Sequence, residues 1–346
     1  MTAPRNVRVL VVDDSAFARK VMRQVLEADP RIDVVGIARD GLDALEKITE
    51  LTPDVVTLDL VMPQLDGLGV LEALRMLPTP PRVIAVTMSE ADSALGVAAL
   101  LGGAWDVVHK PTALATDRLY EVGDELVVKV LHAADAPSGP KPVERVTPVP
   151  RAEPRGKSDV RMVVVGASTG GPRAITQLLR ALPDTFPAPV VVVVHMPAGY
   201  TEAFANRLDR ECPLEVVEAK EGTALRAGVV VIARAGIHLK LRKVDDGWCA
   251  VLDAKPLDSL HRPSVDSLFQ SAASEVGRDV LGVVLTGMGS DGLEGARAIR
   301  AAGGRVIVEH ESTCVVYGMP RVIAEAGLAT ARVPLPEMAE AIIARL

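Results

Sequence analysis

The chain is poor in aromatic residues: two Trp, three Tyr and four Phe make up 3% of its 346 positions. Cores built without large rings must rely on Val, Leu, Ile and Ala, a composition that suits parallel strands covered by helices on both faces. Cysteine is almost as scarce. Cys212, Cys249 and Cys314 are odd in number and widely spaced. That excludes a CxxC metal knuckle and a disulfide framework and predicts buried apolar fillers in a reducing cytosol. Long apolar runs are missing: stretches such as Val190–Val194 fall far short of the ~20 residues that span a bilayer. The run Val7–Val12 has strand length and leads straight into acids, so no secretory signal is expected there. Positive charge is in deficit as well. With 38 Lys and Arg against 45 Asp and Glu, the net charge of -7 argues against a nucleic-acid partner. A cytoplasmic protein, not embedded in a membrane, is expected.

The length exceeds that of one compact domain, and two domains are the natural expectation. One segment differs from everything around it. From Ala133 to Ser158 the chain is dense in proline and polar residues, cannot bury enough apolar surface to offset its ordering entropy, and reads as a flexible tether. The domains are then 1–132 and 159–346, joined by a linker at 133–158. In the first, strands at Val7–Val12, Val34–Ala38, Val55–Leu58, Val83–Val86 and Trp105–Val108 alternate with helices, the first capped by Ser15. This is a (βα)5 pattern with a parallel sheet. In the second, strands are expected at Met162–Ala167, Val190–Val194, Val216–Val217, Val229–Ile232, Val280–Leu285 and Val306–Val308, with helices such as Pro172–Leu182 and Gly292–Ala302 between them. His238–Val244 and Trp248–Leu252 flank Asp-Asp-Gly and predict a hairpin. The fold class is α/β throughout, the second domain being a doubly wound, mostly parallel sheet with an added β-hairpin.

In open parallel sheets functional groups collect at the carboxyl ends of strands. Asp13 and Asp14 follow the first strand, Asp59 ends the third, Thr87 ends the fourth and Lys110 follows the fifth. Carboxylates gathered in one cleft repel each other unless a hard cation is present, and oxygen-only ligands suit Mg²⁺. Singly, such acids commonly cap the next helix, and Asp14 alone reads as solvated. The full set, with LDLVMPQLDG around Asp59, resembles the receiver domain of two-component response regulators over about residues 6–131, a flavodoxin-like fold. The resemblance implies Asp59 as phosphoacceptor from a sensor histidine kinase. It also implies Asp13 and Asp14 as Mg²⁺ ligands with the Val61 carbonyl, and Thr87 and Lys110 as contacts of the phosphoryl group. One departure is the fifth strand, where the usual aromatic switch position is Val107.

In the second domain Ser168 lies in Gly166-Ala-Ser168-Thr-Gly170, between a buried strand and a helix, as in a nucleophile turn. A helix N-terminus there offers free N–H groups for an oxyanion. The rival reading, a dinucleotide fingerprint, needs an acid after the next strand; that strand ends in His195, which suits a general base. Asp291 stands alone in a glycine-rich turn after another strand. By itself it reads as a cap for the helix starting near Gly292; with Ser168 and His195 it completes a triad. The order Ser…His…Asp is not that of the α/β-hydrolases. Instead GASTGGP, the strand ending His195-Met-Pro, HRPSVD (261–266), LTGMGSDG and VYGMP (316–320) resemble the catalytic domain of chemotaxis protein-glutamate methylesterases, the CheB family. The resemblance implies Ser168 as nucleophile, His195 as base and Asp291 as its orienting group, with Thr169 and Met288 beside the site holding the tetrahedral intermediate. It further implies hydrolysis of γ-glutamyl methyl esters on chemoreceptors, with release of methanol, and deamidation of receptor glutamines. No cofactor is implied for this half, and a monomer is expected. His261 reads equally as a structural tie or a catalytic part, while His109, His132, His238 and His310 show no partner pattern. The alternative is a receiver-controlled adaptor whose hydrolase-like half is silent.

Overall fold

A computed structural model of the chain describes residues 5–87, 93–110, 116–135 and 160–346. The chain divides into two units, Met1–Ser138 and Gly139–Leu346.

The first unit runs β1 (Val7–Val12), α1 (Ala16–Glu27), β2 (Ile32–Ala38), α2 (Gly41–Leu51), β3 (Val55–Asp59), α3 (Gly67–Leu74), β4 (Arg82–Thr87), α4 (Ser93–Gly102), β5 (Asp106–His109) and α5 (Thr116–Asp135). Its sheet has the order β2-β1-β3-β4-β5, and every neighbouring pair is parallel. The central strand β3 is buried along its whole length, as a Val/Leu-rich strand covered on both faces must be. Side-chain caps set where helices begin: Ser15 accepts from Ala18 N–H, Asp40 from Asp43 N–H and Asp66 from Gly69 N–H. On α1, Met22 and Leu26 share the face turned to the core, one turn apart. The fifth strand lies one residue later than expected. Trp105 still bonds Val83 O through its N–H at 2.7 Å, and its ring lies under the Arg82 guanidinium, 4.8 Å from ring centroid to Cζ. Helix α5 carries on to Asp135, three residues past the expected boundary, because Ala133 is a good helix former whose side chain is fully buried. The rest of the expected linker, 136–158, and Pro111 lie outside the described residues.

The second unit runs β6 (Met162–Ala167), α6 (Gly171–Ala181), β7 (Val190–Val194), α7 (Tyr200–Glu211), β8 (Glu215–Glu218), β9 (Ala224–Leu225), β10 (Val229–Ile232), β11 (His238–Val244), β12 (Gly247–Asp253), α8 (Val265–Glu275), β13 (Val280–Val284), α9 (Leu293–Ala301), β14 (Arg305–Glu309), α10 (Met319–Glu325), β15 (Ala331–Val333) and α11 (Met338–Ile343). Seven strands form one sheet in the order β15-β14-β13-β6-β7-β10-β8, parallel at every pairing. The expected hairpin is present as β11 and β12, and β9 extends it to a three-stranded antiparallel sheet. Strands β6, β7 and β13 are buried throughout. Helix α8 sits unusually close to β6: a Cβ on Gly166 would lie 2.4 Å from Val265 Cγ1. Only glycine permits that approach, and it brings the start of α8 to the sheet's carboxyl rim.

The three cysteines are free, but half-buried rather than buried. Cys212 caps the exposed end of α7, Cys249 lies on the small antiparallel sheet and Cys314 follows β14 in a loop. None of these places is the centre of a core.

Candidate active site and acidic cluster

Three adjacent strands, β13-β6-β7, build the rim of the second unit. Their register pairs Ala167 with Val194 and Gly166 with Val284, so Ser168 and His195 each follow directly on paired residues. His195 N–H donates to Ala167 O at 3.2 Å and Ser168 N–H to Thr286 O at 3.1 Å. The turn is then closed by Gly171 N–H donating to Ser168 O at 2.6 Å. Gly170 has φ 77°, and a Cβ there would lie 2.6 Å from Val315 Cβ, so both backbone and space demand glycine. Thr169 is buried, with its carbonyl accepting from the Thr286 hydroxyl at 3.0 Å. Gly287 is equally constrained, since a Cβ on it would lie 2.9 Å from Ser168 Cβ. Met288 follows it, half-buried. Ser168 thus sits half-buried at the mouth of α6, with Thr169 and the Gly287–Met288 segment as neighbours.

His195 Nε2 lies 2.9 Å from Asp291 Oδ2. That carboxylate is also the anchor of α8. Its Oδ1 accepts from the Ser264 hydroxyl and Asp266 N–H, each at 2.9 Å, and its Oδ2 accepts from Val265 N–H at 2.7 Å. Burial raises the carboxyl's pKa, but the hydrogen bond and charge of His195 and the helix N–H groups outweigh it and hold Asp291 well below the usual range. An ionised Asp291 can only accept, so Nε2 carries a proton in either state of the ring, and in the neutral imidazole Nδ1 holds the lone pair. Nδ1 is buried and makes no hydrogen bond among the described residues. The His261 ring stacks on His195 with centroids 4.0 Å apart and planes 17° from parallel.

The expected cap role for Asp291 therefore exists, but toward α8 rather than toward the helix that follows it. Asp266, in the first turn of α8, returns the exchange by accepting from Gly295 N–H of α9 at 2.6 Å. Burial first, then the nearby Asp291 charge, pushes Asp266 up to about 6 against the backbone N–H groups that lower it. His238, expected to lack a partner, is fully buried. Its Nδ1 accepts from Ser264 N–H at 3.2 Å and its Nε2 donates to Pro256 O at 3.1 Å, which fixes the residue that caps α8 beside Asp291. Neither link is visible in sequence, because the partners stand 26 and 18 positions apart.

Glu309, at the end of β14, is a further residue that patterns did not single out. It is fully buried and its Oε2 accepts from Thr286 N–H at 2.8 Å. Burial pushes it up to about 7, the Thr286 N–H opposing. A carboxyl raised above its unfolded value holds its proton longer in the folded state, so its contribution to stability is complete below about pH 4 and declines as pH rises through its folded pKa. Glu309→Gln is therefore expected to gain stability over the wild type as pH is raised from about 5 to about 8, by up to about 3 kcal/mol. Thermal unfolding of both proteins across that range checks it, and parallel pH profiles would contradict it.

In the first unit β1 and β3 are neighbours at the reversal of strand order, the place where sites form in such sheets. There Asp13, Asp14 and Asp59 bring carboxylate oxygens within 4.8 Å of one another. Lys110 Nζ lies 2.8 Å from Asp13 Oδ2 and 2.6 Å from Asp59 Oδ2. Burial raises Asp59 despite Lys110, and the two carboxylates raise Lys110 despite its burial. Asp59 Oδ1 also accepts from Val61 N–H at 3.2 Å. Thr87 is buried at the end of β4, 3.3 Å from His109 Nδ1, while Val107 is buried one layer below. Three convergent oxygen donors with one exposed member, Asp14, fit a hard divalent cation. Among the described residues no helix is long and apolar enough to cross a membrane.

Family models match both halves: a response regulator receiver domain over residues 9–121 and CheB methylesterase over residues 163–342. A Myxococcus xanthus protein named protein-glutamate methylesterase/protein-glutamine glutaminase 5 is 58% identical over 342 residues, covering 98% of this chain and 97% of its own length. A Symbiobacterium thermophilum protein of the same name without the numeral is 44% identical, covering 98% of this chain and 96% of its own length. Among solved structures, the Thermotoga maritima CheB methylesterase catalytic domain is 40% identical with a TM-score of 0.53, covering 54% of this chain and 98% of that one. With its catalytic half and its receiver half both accounted for, the chain belongs to the CheB methylesterase family.

Proposed function

We propose that the protein is a phosphorylation-controlled methylesterase that hydrolyses glutamate γ-methyl esters on chemoreceptors and deamidates receptor glutamines, with Ser168, His195 and Asp291 as its catalytic triad. The observation that carries this reading is the His195–Asp291 pair at 2.9 Å on the rim that also bears Ser168. With Nε2–H committed to Asp291, His195 Nδ1 takes the proton of Ser168 as Oγ bonds to the ester carbonyl carbon. The carbonyl electrons move onto oxygen, and N–H groups at Thr169 and Met288 hold that oxyanion, each donor being worth about 3–4 kcal/mol. Collapse of the intermediate breaks the bond to methoxide, which takes the proton from Nδ1 and leaves as methanol. Water then gives a proton to Nδ1 while its oxygen attacks the acyl carbon; the bond to Oγ breaks, Oγ takes that proton from Nδ1, and glutamate is freed. With a glutamine substrate ammonia leaves instead, by the same acyl chemistry.

The receiver half supplies the control. A sensor histidine kinase is the phosphodonor: an Asp59 oxygen bonds to the phosphorus of its phosphohistidine as the P–N bond breaks and the kinase imidazole leaves. Mg²⁺, held by Asp13, Asp14 and Asp59, would supply charge neutralisation for that transfer. Lys110 pairs with the phosphoryl oxygens and Thr87 contacts them. Three regions carry these roles: the receiver as far as Asp135, where α5 ends, a connecting segment at 136–158 and the esterase at 159–346. The protein acts in the cytoplasm as a monomer. Incubation with methyl-labelled receptor membranes tests the reading. Methanol is expected to be released, faster when phosphodonor and Mg²⁺ are added; no release under either condition would leave only a receiver-controlled adaptor.

A further inference from the structure

The mechanism leaves unused a fully buried carboxyl at the end of β14. Glu309 is fully buried beneath the nucleophile turn. It has one backbone donor, Thr286 N–H on Oε2 at 2.8 Å, while Oε1 is buried without a hydrogen bond among the described residues. The Thr313 hydroxyl and the Cys314 thiol lie near it, but they donate to His310 O at 3.3 Å and Glu309 O at 3.8 Å.

Thr286, in turn, is a junction. Its carbonyl accepts from Ser168 N–H at 3.1 Å. Its hydroxyl donates toward Thr169 O at 3.0 Å and accepts from Val316 N–H at 2.9 Å. One residue thus grips the peptide on both sides of the Ser168 side chain, and Glu309 grips that residue from below. We propose that Glu309 is a positioning residue for ester hydrolysis, setting Thr286 and through it the Ser168–Thr169 turn that presents the nucleophile and an oxyanion donor. The inference rests on the reading of Ser168 as nucleophile. The role asks only for an acceptor on Thr286 N–H, and burial favours the acid over the carboxylate there. An amide oxygen would serve equally.

The test is methanol release by Glu309→Leu and Glu309→Gln, together with the rate at which a fluorophosphonate labels Ser168. Glu309→Gln is expected to keep the wild-type kcat. Glu309→Leu is expected to lower kcat on the order of 10²-fold, the scale of a misplaced reacting group, with KM unchanged. Labelling should slow in step yet reach full extent, whereas a merely loosened fold lowers the labelled fraction. Should leucine prevent folding, Glu309→Asp, which withdraws the carboxyl by one methylene, carries the same expectation. Wild-type kcat and labelling rate in folded Glu309→Leu or Glu309→Asp, or a loss in Glu309→Gln as deep as in Glu309→Leu, would overturn the inference. Failure of the wild type itself to release methanol or label would instead count against the esterase reading.

Discussion

Asp291→Asn is expected to lower kcat for methanol release on the order of 10⁴-fold, because it removes the charge behind the base and, with its NH₂ toward His195, reverses the base's tautomer. In the wild type the carboxylate accepts from four donors: Ser264 Oγ, Val265 N, Asp266 N and His195 Nε2. An amide offers one oxygen and one NH₂. If its oxygen keeps Ser264 and Asp266, its NH₂ faces Val265 N–H and His195 Nε2. The imidazole must then place its proton on Nδ1, the atom that should receive the proton of Ser168. If the amide turns the other way, the Ser264 hydroxyl and Asp266 N–H lose their shared acceptor instead. Either way one set of buried donors is left unmatched, at about 1–3 kcal/mol of stability for each unsatisfied group. Rate and thermal unfolding measured together separate the effects: a modest loss of stability with a profound loss of kcat is expected. Activity close to wild type in a folded Asp291→Asn protein would show that hydrolysis does not need the charge of Asp291.

Asp59→Asn should abolish the response to phosphodonor while leaving the basal rate of the full chain in place. A carboxamide cannot take the phosphoryl group, so the whole activation factor is lost rather than a fraction of it. The substitution is mild for the fold. Lys110 keeps Asp13 at 2.8 Å, and the carboxyl being replaced is one whose burial already disfavours its charge. Thermal stability is therefore expected to hold or rise. The measurement is methanol release with and without phosphodonor and Mg²⁺, alongside incorporation of labelled phosphate. Undiminished activation in Asp59→Asn would move the phosphoacceptor elsewhere.

Most strands were legible because they are short Val/Leu-rich runs bounded by acids, glycine or proline. Val7–Val12, Met162–Ala167, Val190–Val194 and Val229–Ile232 have the expected bounds in the structure. Candidate groups such as Asp13, Asp59, Ser168 and His195 were legible for a related reason, since a parallel sheet delivers strand ends to one rim. What could not be read depends on contacts between distant residues. Ala331–Val333 is too short to declare itself a strand and owes its place to pairing with β14. His238 and Ser264 look ordinary in sequence until α8 is laid across β6. Asp291 and Asp266 exchange caps between two helices, a crossing that no local capping pattern describes. Glu309 resembled any acid at a strand end, and only its burial beside Thr286 distinguishes it.

The most direct measurement of the central claim is methanol release from methyl-labelled receptor membranes by Ser168→Ala beside the wild type. The half-buried site of Ser168 accommodates alanine without strain, so the variant should fold normally. Loss of the nucleophile is expected to lower kcat on the order of 10⁶-fold, as when a member of a serine triad is removed. Methanol release by Ser168→Ala at a rate near that of the wild type would contradict the account.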